Sequence, residues 1–165
     1  DFNNHRLMSY APAATNGTKL LGGPGYSNTQ LYYPQGIHLD LYSNSLIITS
    51  NSAHNVVKYL LSGTSWTLLA GSTNGSPGNT STTFSNPIDV IVDPMGNMYV
   101  IERGNSRVQF FYAGQSVGST IAGITGVIGS NATTFDLPTS LCLDSQLNLY
   151  VSDSNNHRIQ RFLRY

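Results

Sequence analysis

The sequence predicts an all-β protein that forms part of a β-propeller, with about three blades of four antiparallel strands each. Three observations support this fold class: one segment returns four times at nearly constant spacing, short runs of strand-forming residues surround each copy, and no stretch has helical periodicity. Four antiparallel strands at a repeat of roughly 50 residues are typical of a propeller blade. At that repeat length, 165 residues hold about three blades, fewer than the four to eight that typically close a propeller.

The segment that returns begins at residues 1, 50, 102 and 153, so successive copies are separated by 49, 52 and 51 residues. The copies from Asp1 to Tyr10 and from Asp153 to Phe162 are the most alike, and the two middle copies have diverged. Each copy ends in an aromatic residue, which is Tyr10, Tyr59, Phe111 or Phe162. Because the segment recurs in phase with the other strand signals, we assign it to the third strand of each blade.

The other three strands follow from residue type and turn signals. Pro34, Pro87 and Pro138 each precede a short apolar run that ends in Asp, and a turn then leads to a second apolar run. Val, Ile, Leu, Tyr and Thr dominate these runs, while Gly, Pro, Asn and Asp punctuate them. The prediction is thirteen strands in a partial blade over 1–23, two whole blades over 34–71 and 87–123, and a partial blade over 138–165.

Composition restricts the class of partner. The chain carries 8 Lys and Arg against 8 Asp and Glu, and 10% of its residues are charged. Because binding to nucleic acids or anionic membranes depends on an excess of Lys and Arg, we expect no nucleic-acid partner. Apolar runs of a few residues predict no membrane insertion. The single cysteine, Cys142, excludes a disulfide scaffold and a cysteine-based zinc site, and we expect it in the core.

The repeated segment resembles the signature of NHL-repeat β-propellers. The resemblance rests on Asn4-His5-Arg6-Leu7 and Asn156-His157-Arg158-Ile159, and the phased repeat extends it over essentially the whole chain. The middle copies depart from it, since Asn105-Ser106-Arg107-Val108 lacks the His and His54-Asn55-Val56 lacks the Arg. The resemblance implies a six-bladed ring and a role as an interaction scaffold. The chain is then either a piece of a longer polypeptide or a homodimer that closes one six-bladed ring.

The histidines and aspartates of the repeat are expected to be structural. His5, His54 and His157 share one repeat position, so a ring would disperse them, and we predict packing and loop hydrogen bonds rather than a metal site. One enzyme branch that the resemblance brings in, the peptidyl-hydroxyglycine amidating lyases, uses channel-lining His ligands for zinc. His38 lies on a predicted inner strand, but its equivalents are Ile91 and Cys142, so no such cluster is expected in this half.

Asp40, Asp93 and Asp144 recur once per blade at the turn after the first strand. This recurrence predicts side chains that cap the turn rather than an acid–base pair. No catalytic residue, metal ligand or cofactor is therefore assigned.

The candidate binding face lies at the end of the blades where the long connections run. Residues 24–33, 72–86 and 124–137 are long and rich in Gly, Ser, Thr and Asn, as binding loops often are. By strand alternation they share one face with the Asn-His-Arg segments. We expect this face to present to a partner the polar residues Arg103, Asn105, Arg107, Asn155, Asn156 and Arg158.

Four Asn-x-Ser/Thr sequons mark candidate glycosylation sites at Asn16, Asn74, Asn79 and Asn131. With a low-charge surface rich in Ser, Thr and Asn, they favour an extracellular protein, with a cytoplasmic location as the alternative. The leading functional hypothesis is a non-catalytic scaffold segment that binds a protein or glycan. The alternatives are part of a metal-dependent, amidating-lyase-like enzyme and, third, an RNA-binding propeller.

Overall fold

The computed structural model describes residues 1–164 and confirms the all-β, partial-propeller fold class. Within these residues there are thirteen strands and two short 3₁₀ turns, Phe2–Asn4 and Ser154–Asn156. In chain order the strands are β1 (Arg6–Ser9), β2 (Thr18–Gly22), β3 (Pro34–Asp40), β4 (Ser45–Ser50), β5 (Asn55–Leu60), β6 (Trp66–Gly71), β7 (Pro87–Val92), β8 (Met98–Glu102), β9 (Arg107–Phe111), β10 (Ser119–Gly123), β11 (Pro138–Leu143), β12 (Leu149–Asp153) and β13 (Arg158–Phe162). No helix in this part of the chain has the length and apolar character needed to cross a lipid bilayer.

The strands form four antiparallel sheets in the order of the sequence, and each sheet is one blade or part of one. Blade 1 is β1-β2, blade 2 is β3-β4-β5-β6, blade 3 is β7-β8-β9-β10 and blade 4 is β11-β12-β13. Neighbouring strands pair with their neighbours in sequence throughout, as in a meander. Strand β7 of blade 3 contacts β3 and β4 of blade 2, and β11 of blade 4 contacts β7 and β8 of blade 3. The first strands of blades 2, 3 and 4 are therefore the innermost ones.

Each first strand begins at a proline whose preceding residue has left-handed backbone. The φ angles of Tyr33, Asn86 and Leu137 are 53°, 49° and 48°. A register irregularity follows each proline, between Pro34 and Ile37 in blade 2 and at the equivalent positions in blades 3 and 4. Proline lacks an N–H and is tolerated at the start of a strand, so these sites turn the chain sharply from the long connection into the blade.

The first hairpin of each blade is closed by the Asp that the sequence singled out. Asp93 Oδ1 accepts the N–H groups of Met95 and Asn97, both at 2.9 Å. Asp144 accepts the N–H groups at the same two positions, and Asp40 accepts those of Tyr42 and Ser43, so the predicted capping role is confirmed. A left-handed residue completes each turn, and it is Asn44, Gly96 or Leu147, with φ of 49°, 85° and 62°. Asn and Gly adopt this conformation readily, whereas Leu is strained in it.

Three apolar clusters lie between successive blades and hold the array together. The cluster between blades 2 and 3 contains Ile47, Val56, Val100, Phe84 and Phe111. The two phenylalanine rings are almost completely buried and meet edge to face with centroids 5.7 Å apart. The other two clusters include Leu7, Ile48 and Tyr59 between blades 1 and 2, and Ile101, Phe135 and Val151 between blades 3 and 4. Each blade is therefore stabilised through its neighbours.

Candidate binding faces

Strand alternation gives the array two ends with different connections. The end that carries the connections from second to third strand and from blade to blade is called the loop face; it comprises residues 1–5, 23–33, 51–54, 72–86, 103–106, 124–137 and 154–157. The opposite end is called the turn face; it comprises residues 10–17, 41–44, 61–65, 93–97, 112–118, 144–148 and 163–164. The sequence placed the candidate site on the loop face.

Two histidines of the repeated segment link one blade to the next on the loop face. His5 Nδ1 accepts the backbone N–H of Tyr33 at 3.1 Å, and His54 Nδ1 accepts that of Asn86 at 3.0 Å. Both acceptors have left-handed backbone, with φ of 52° and 53°. Burial lowers the pKa of His54 below its ordinary value of 6.5, which favours the neutral, accepting ring. The predicted structural role is confirmed for these two residues.

Polar residues of blade 3 hold the long connection 72–86 from inside. Arg107 pairs with Glu102 at 2.6 Å, and both side chains are buried. The guanidinium of Arg107 also donates to the carbonyl oxygens of Asn79, Thr80 and Thr83, at 3.1, 2.8 and 3.2 Å. Burial raises the pKa of Glu102, against the opposing effect of Arg107. We call this arrangement, with Asn105 and Gln109, the blade 3 latch.

Asn105 and Gln109 complete the blade 3 latch. Asn105 Nδ2 donates to Glu102 Oε2 at 2.6 Å and to the carbonyl oxygen of Gly78 at 2.8 Å. Gln109 Nε2 donates to Glu102 Oε1 at 3.0 Å, while its own Oε1 is buried without a partner among the described residues. The repeated polar residues therefore satisfy backbone groups of the loop that would otherwise be unpaired.

Blade 4 has the same arrangement around Asp153. Arg158 pairs with Asp153 at 2.8 Å and donates to the carbonyl oxygens of Ser130, Asn131 and Thr134, at 2.6, 2.5 and 3.1 Å. Asn156 and Gln160 repeat the contacts of their blade 3 equivalents. Blade 1 keeps the acid, Asn and Arg as Asp1, Asn4 and Arg6. In blade 2 the positions are Ser50, Ala53 and Asn55, so no ion pair forms there.

The structure corrects the predicted binding face. Asn105 and Arg107 are 6% and 3% exposed, so they lie inside the blade and are not presented to a partner. Asn156 is half-buried, and Arg158 is occupied by Asp153 and the loop carbonyls. Arg103 and Asn155 are exposed, and Asn155 bonds Asp136 Oδ1 at 3.2 Å. Sequence reasoning missed that the side-chain donors of the repeated segment are hydrogen-bonded to the backbone carbonyl oxygens of the long loops.

Two other expectations concern the inner strands. Cys142 was expected in the core, but it is exposed: side chains alternate along β11, and the buried neighbour Leu141 takes the face that packs on blade 3. His38 is half-buried on β3 opposite Ile47, and burial lowers its pKa against the opposing charges of Asp40 and Asp89. Within residues 1–164, no three His, Cys, Asp or Glu side chains form a group with metal-binding geometry.

The turn face carries large apolar side chains that sequence reasoning did not single out. Leu41 and Tyr42 at the first hairpin tip of blade 2 are 82% and 102% exposed. Met95 and Tyr112 on blade 3 are 56% and 69% exposed. The hairpin geometry requires Asp40 and a left-handed residue at position 44, not the Leu-Tyr pair between them. Apolar residues in a turn that does not need them were the sequence signal that could have indicated this exposed surface.

Comparison with known proteins identifies the repeat. The family model of the NHL repeat matches residues 135–162, which include β11, β12 and β13. NHL repeat-containing protein 3 of Homo sapiens is 30% identical over 140 residues, which are 78% of this chain and 39% of that protein. The chain thus spans well under half the length of this curated relative.

Solved structures share the fold at low identity. An auxiliary nutrient binding protein from Bacteroides thetaiotaomicron superposes with a TM-score of 0.76 at 16% identity, over 97% of this chain and 43% of that one. Virginiamycin B lyase from Staphylococcus aureus gives a TM-score of 0.62 at 15% identity, over 99% of this chain and 50% of that one. The solved structures share the fold, and the match to the NHL-repeat model, the curated relative and the repeated blades show that the chain belongs to the NHL-repeat β-propeller family.

Proposed function

We propose that the chain is a non-catalytic binding segment of an NHL-repeat propeller, and that it acts as a scaffold for a protein or another ligand. The observation that carries this proposal is the exposure of Leu41, Tyr42, Met95 and Tyr112 on capped, hydrogen-bonded tips. Large exposed apolar side chains that lie close together are characteristic of interaction surfaces. The nutrient-binding role that the Bacteroides neighbour's name states is in line with ligand binding on this fold.

The blade 3 latch and the equivalent arrangement in blade 4 support the same proposal. In blades 3 and 4 each acid, Asn, Arg and Gln of the repeated segment donates to or accepts from the chain itself. These polar groups therefore act as a framework that keeps the long loops in one conformation. The loop face is thereby held rigid, which suits a scaffold because pre-organised surfaces lose less conformational entropy on binding.

The test separates this proposal from the lyase-like alternative. The purified chain is analysed for bound zinc and assayed for cleavage of a peptidyl-hydroxyglycine, alongside His38→Ala and, as a matched control, the exposed His157→Ala. We expect no stoichiometric zinc and no turnover in any of the three proteins. Stoichiometric zinc with turnover that His38→Ala abolishes and His157→Ala preserves would overturn the proposal. Retention of RNA on a filter would favour the RNA-binding alternative instead.

We further propose an extracellular protein that is glycosylated at its four sequons, three of which lie on the loop face. Asn74 and Asn131 are exposed in the long connections, and each Oδ1 accepts the N–H two residues on, from Ser76 at 3.1 Å and Thr133 at 2.9 Å. Asn79 is exposed on the same face, and Asn16 is exposed on the turn face. Expression through a secretory pathway should give a mass that falls after peptide-N-glycosidase treatment. An unchanged mass would refute this proposal.

The homodimer that closes a six-bladed ring stays a prediction. β1 and β13 hold the same position of the repeat, as the ion pairs Asp1–Arg6 and Asp153–Arg158 show. A blade assembled from blade 1 of one copy and blade 4 of another would contain two third strands. Joining the two would therefore require one of these strands to leave its sheet.

A further inference from the structure

Two asparagines of the chain are followed by glycine, and they lie in almost the same local sequence. One segment is Thr15-Asn16-Gly17-Thr18 on the turn face, and the other is Thr73-Asn74-Gly75-Ser76 on the loop face. Glycine has no Cβ to shield its backbone nitrogen, so this nitrogen reaches the side-chain amide of the preceding asparagine with little hindrance. Because the two segments are matched in sequence, a difference in their reactivity must come from the fold.

On the loop face the asparagine side chain is held by hydrogen bonds. Asn74 Oδ1 accepts the hydroxyl hydrogen of Ser72 at 2.8 Å and the backbone N–H of Ser76 at 3.1 Å. Ser72 is buried, and its Oγ also accepts the N–H groups of Asn74 and Ser76, at 3.2 and 2.9 Å. These bonds form an Asx turn. The carboxamide of Asn74 is therefore free to rotate only when they break.

On the turn face nothing comparable holds the side chain. Asn16 is exposed and makes no side-chain hydrogen bond within residues 1–164. It belongs to the connection 10–17 between β1 and β2, in which residues 10–16 are all exposed and Ala14 N donates to the carbonyl oxygen of Ala11 at 3.0 Å. An exposed connection with so few bonds opens locally at little cost in free energy. The carboxamide of Asn16 is thus free to rotate.

Each of the two glycines packs under a tyrosine ring, and the two rings differ in their support. A Cβ at position 17 would lie 2.6 Å from Tyr10 Cζ, and a Cβ at position 75 would lie 2.4 Å from Tyr26 Cε1. Tyr26 meets Tyr32 edge to face with centroids 5.6 Å apart. Tyr10 is 60% exposed and contacts no other aromatic ring within residues 1–164. The ring over Gly17 is therefore displaced more easily than the ring over Gly75.

We propose that Asn16 is a site of spontaneous deamidation and that the fold protects Asn74 from the same reaction. The nitrogen of Gly17 attacks Asn16 Cγ. An N–Cγ bond forms, the Cγ–Nδ2 bond breaks, and Nδ2 leaves as ammonia with the hydrogen of the Gly17 N–H. Water then opens the cyclic imide at either carbonyl carbon and gives aspartate or isoaspartate. Water is the only co-reactant, and nothing is oxidised or reduced.

The reaction changes the turn face of blade 1. A carboxylate replaces a neutral amide at position 16, and isoaspartate also lengthens the backbone directly before Gly17. The amide nitrogen that a glycan on Asn16 would use is lost at the same time. This inference goes beyond the proposed scaffold function and does not depend on it.

The test compares the two segments in the folded and in the unfolded chain. Unglycosylated protein is incubated at neutral and at mildly alkaline pH, with a parallel sample in urea. Peptide mapping by tandem mass spectrometry measures aspartate and isoaspartate at positions 16 and 74, and isoaspartate is checked with an isoaspartyl methyltransferase. Asn16→Gln gives the baseline for position 16, and Ser72→Ala releases the side chain of Asn74. Ser27→Ala is the matched control, because it removes a hydroxyl that bonds Gln30 instead of an asparagine.

We expect Asn16 to react about tenfold faster than Asn74 in the folded chain, because two hydrogen bonds hold the Asn74 carboxamide. In urea the two rates should be equal. Ser72→Ala should raise the rate at Asn74 about fivefold and leave Asn16 unchanged, and Ser27→Ala should change neither rate. Both rates should rise with pH, because the attacking nitrogen must lose its proton.

Several results would overturn the inference. They are equal rates in the folded chain, a faster reaction at Asn74, and no reaction at Asn16. An unchanged rate at Asn74 in a folded Ser72→Ala variant would show that the Asx turn does not protect this residue. If that variant does not fold, the comparison of the folded parent with the urea sample still decides the proposal. The scaffold function fails on a different result, which is zinc-dependent turnover.

Discussion

The blade 3 latch makes a quantitative prediction about Arg107→Ala. The substitution leaves Glu102, whose side chain is fully buried, without its ion-pair partner, and removes donors from the carbonyl oxygens of Asn79, Thr80 and Thr83. Breaking a buried ion pair by deleting one partner costs about 3–5 kcal/mol, because the remaining charge stays desolvated. We expect a loss of that size in the free energy of unfolding at neutral pH.

Two other arginines calibrate the measurement. Arg158 makes the equivalent contacts with a side chain that is 30% exposed, so solvent screens the pair and Arg158→Ala should cost about 1–2 kcal/mol. Arg103 is exposed next to the latch, and Arg103→Ala should change stability by less than about 0.5 kcal/mol. The order of the three losses therefore follows burial rather than residue type.

Urea denaturation followed by circular dichroism gives the free energies, and hydrogen exchange locates the effect. Repeat arrays depart from two-state unfolding, so the local readout carries more weight than the global one. In Arg107→Ala, amide exchange should accelerate in the connection 72–86 and around Thr125, whose hydroxyl accepts a bond from Arg107 Nη1 at 3.2 Å. It should stay unchanged in residues 130–134, which Arg158 holds. A loss below about 1 kcal/mol with unchanged exchange over 72–86 would refute the reasoning.

Three further predictions concern the turn, the histidine links and the core. Leu147→Asn should raise the free energy of unfolding by about 0.5–1 kcal/mol, because Asn tolerates the left-handed backbone (φ 62°) better than Leu does; a lower melting temperature would contradict this. His54 and His38 have a lowered pKa, so the stability they contribute is present above pH 6.5 and is lost as pH falls toward their folded values. His54→Asn should therefore flatten the dependence of the urea midpoint between about pH 7.5 and 5, and an unchanged slope would count against the link. Phe84→Ala should cost about 3–5 kcal/mol through the cavity between blades 2 and 3, measured by urea denaturation; a cost near that of an exposed residue would show that the cluster does not join the blades.

Much of the fold could be predicted because its signals are local. The prolines, the capping aspartates and the alternation of apolar residues act within a few positions of each other, so Asp93 could be assigned to its turn without knowledge of any distant contact. The candidate site could not be predicted in the same way. Arg107 bonds carbonyls 24 to 28 positions earlier in the chain, and no local pattern indicates that it turns inward.

The sequence by itself determined the repeat, the blade architecture and the family, because a phased pattern of strands and turns needs neighbouring blades to bury its apolar faces. Tertiary structure alone decided which polar residues of the repeat are available to a partner. Asn105 and Arg107 are buried and hydrogen-bonded to the backbone of a loop. Leu41 and Tyr42 are exposed to solvent, because their turn does not need them. The physical reason is that exposure depends on what the rest of the chain places against a side chain, and not on the side chain's own polarity.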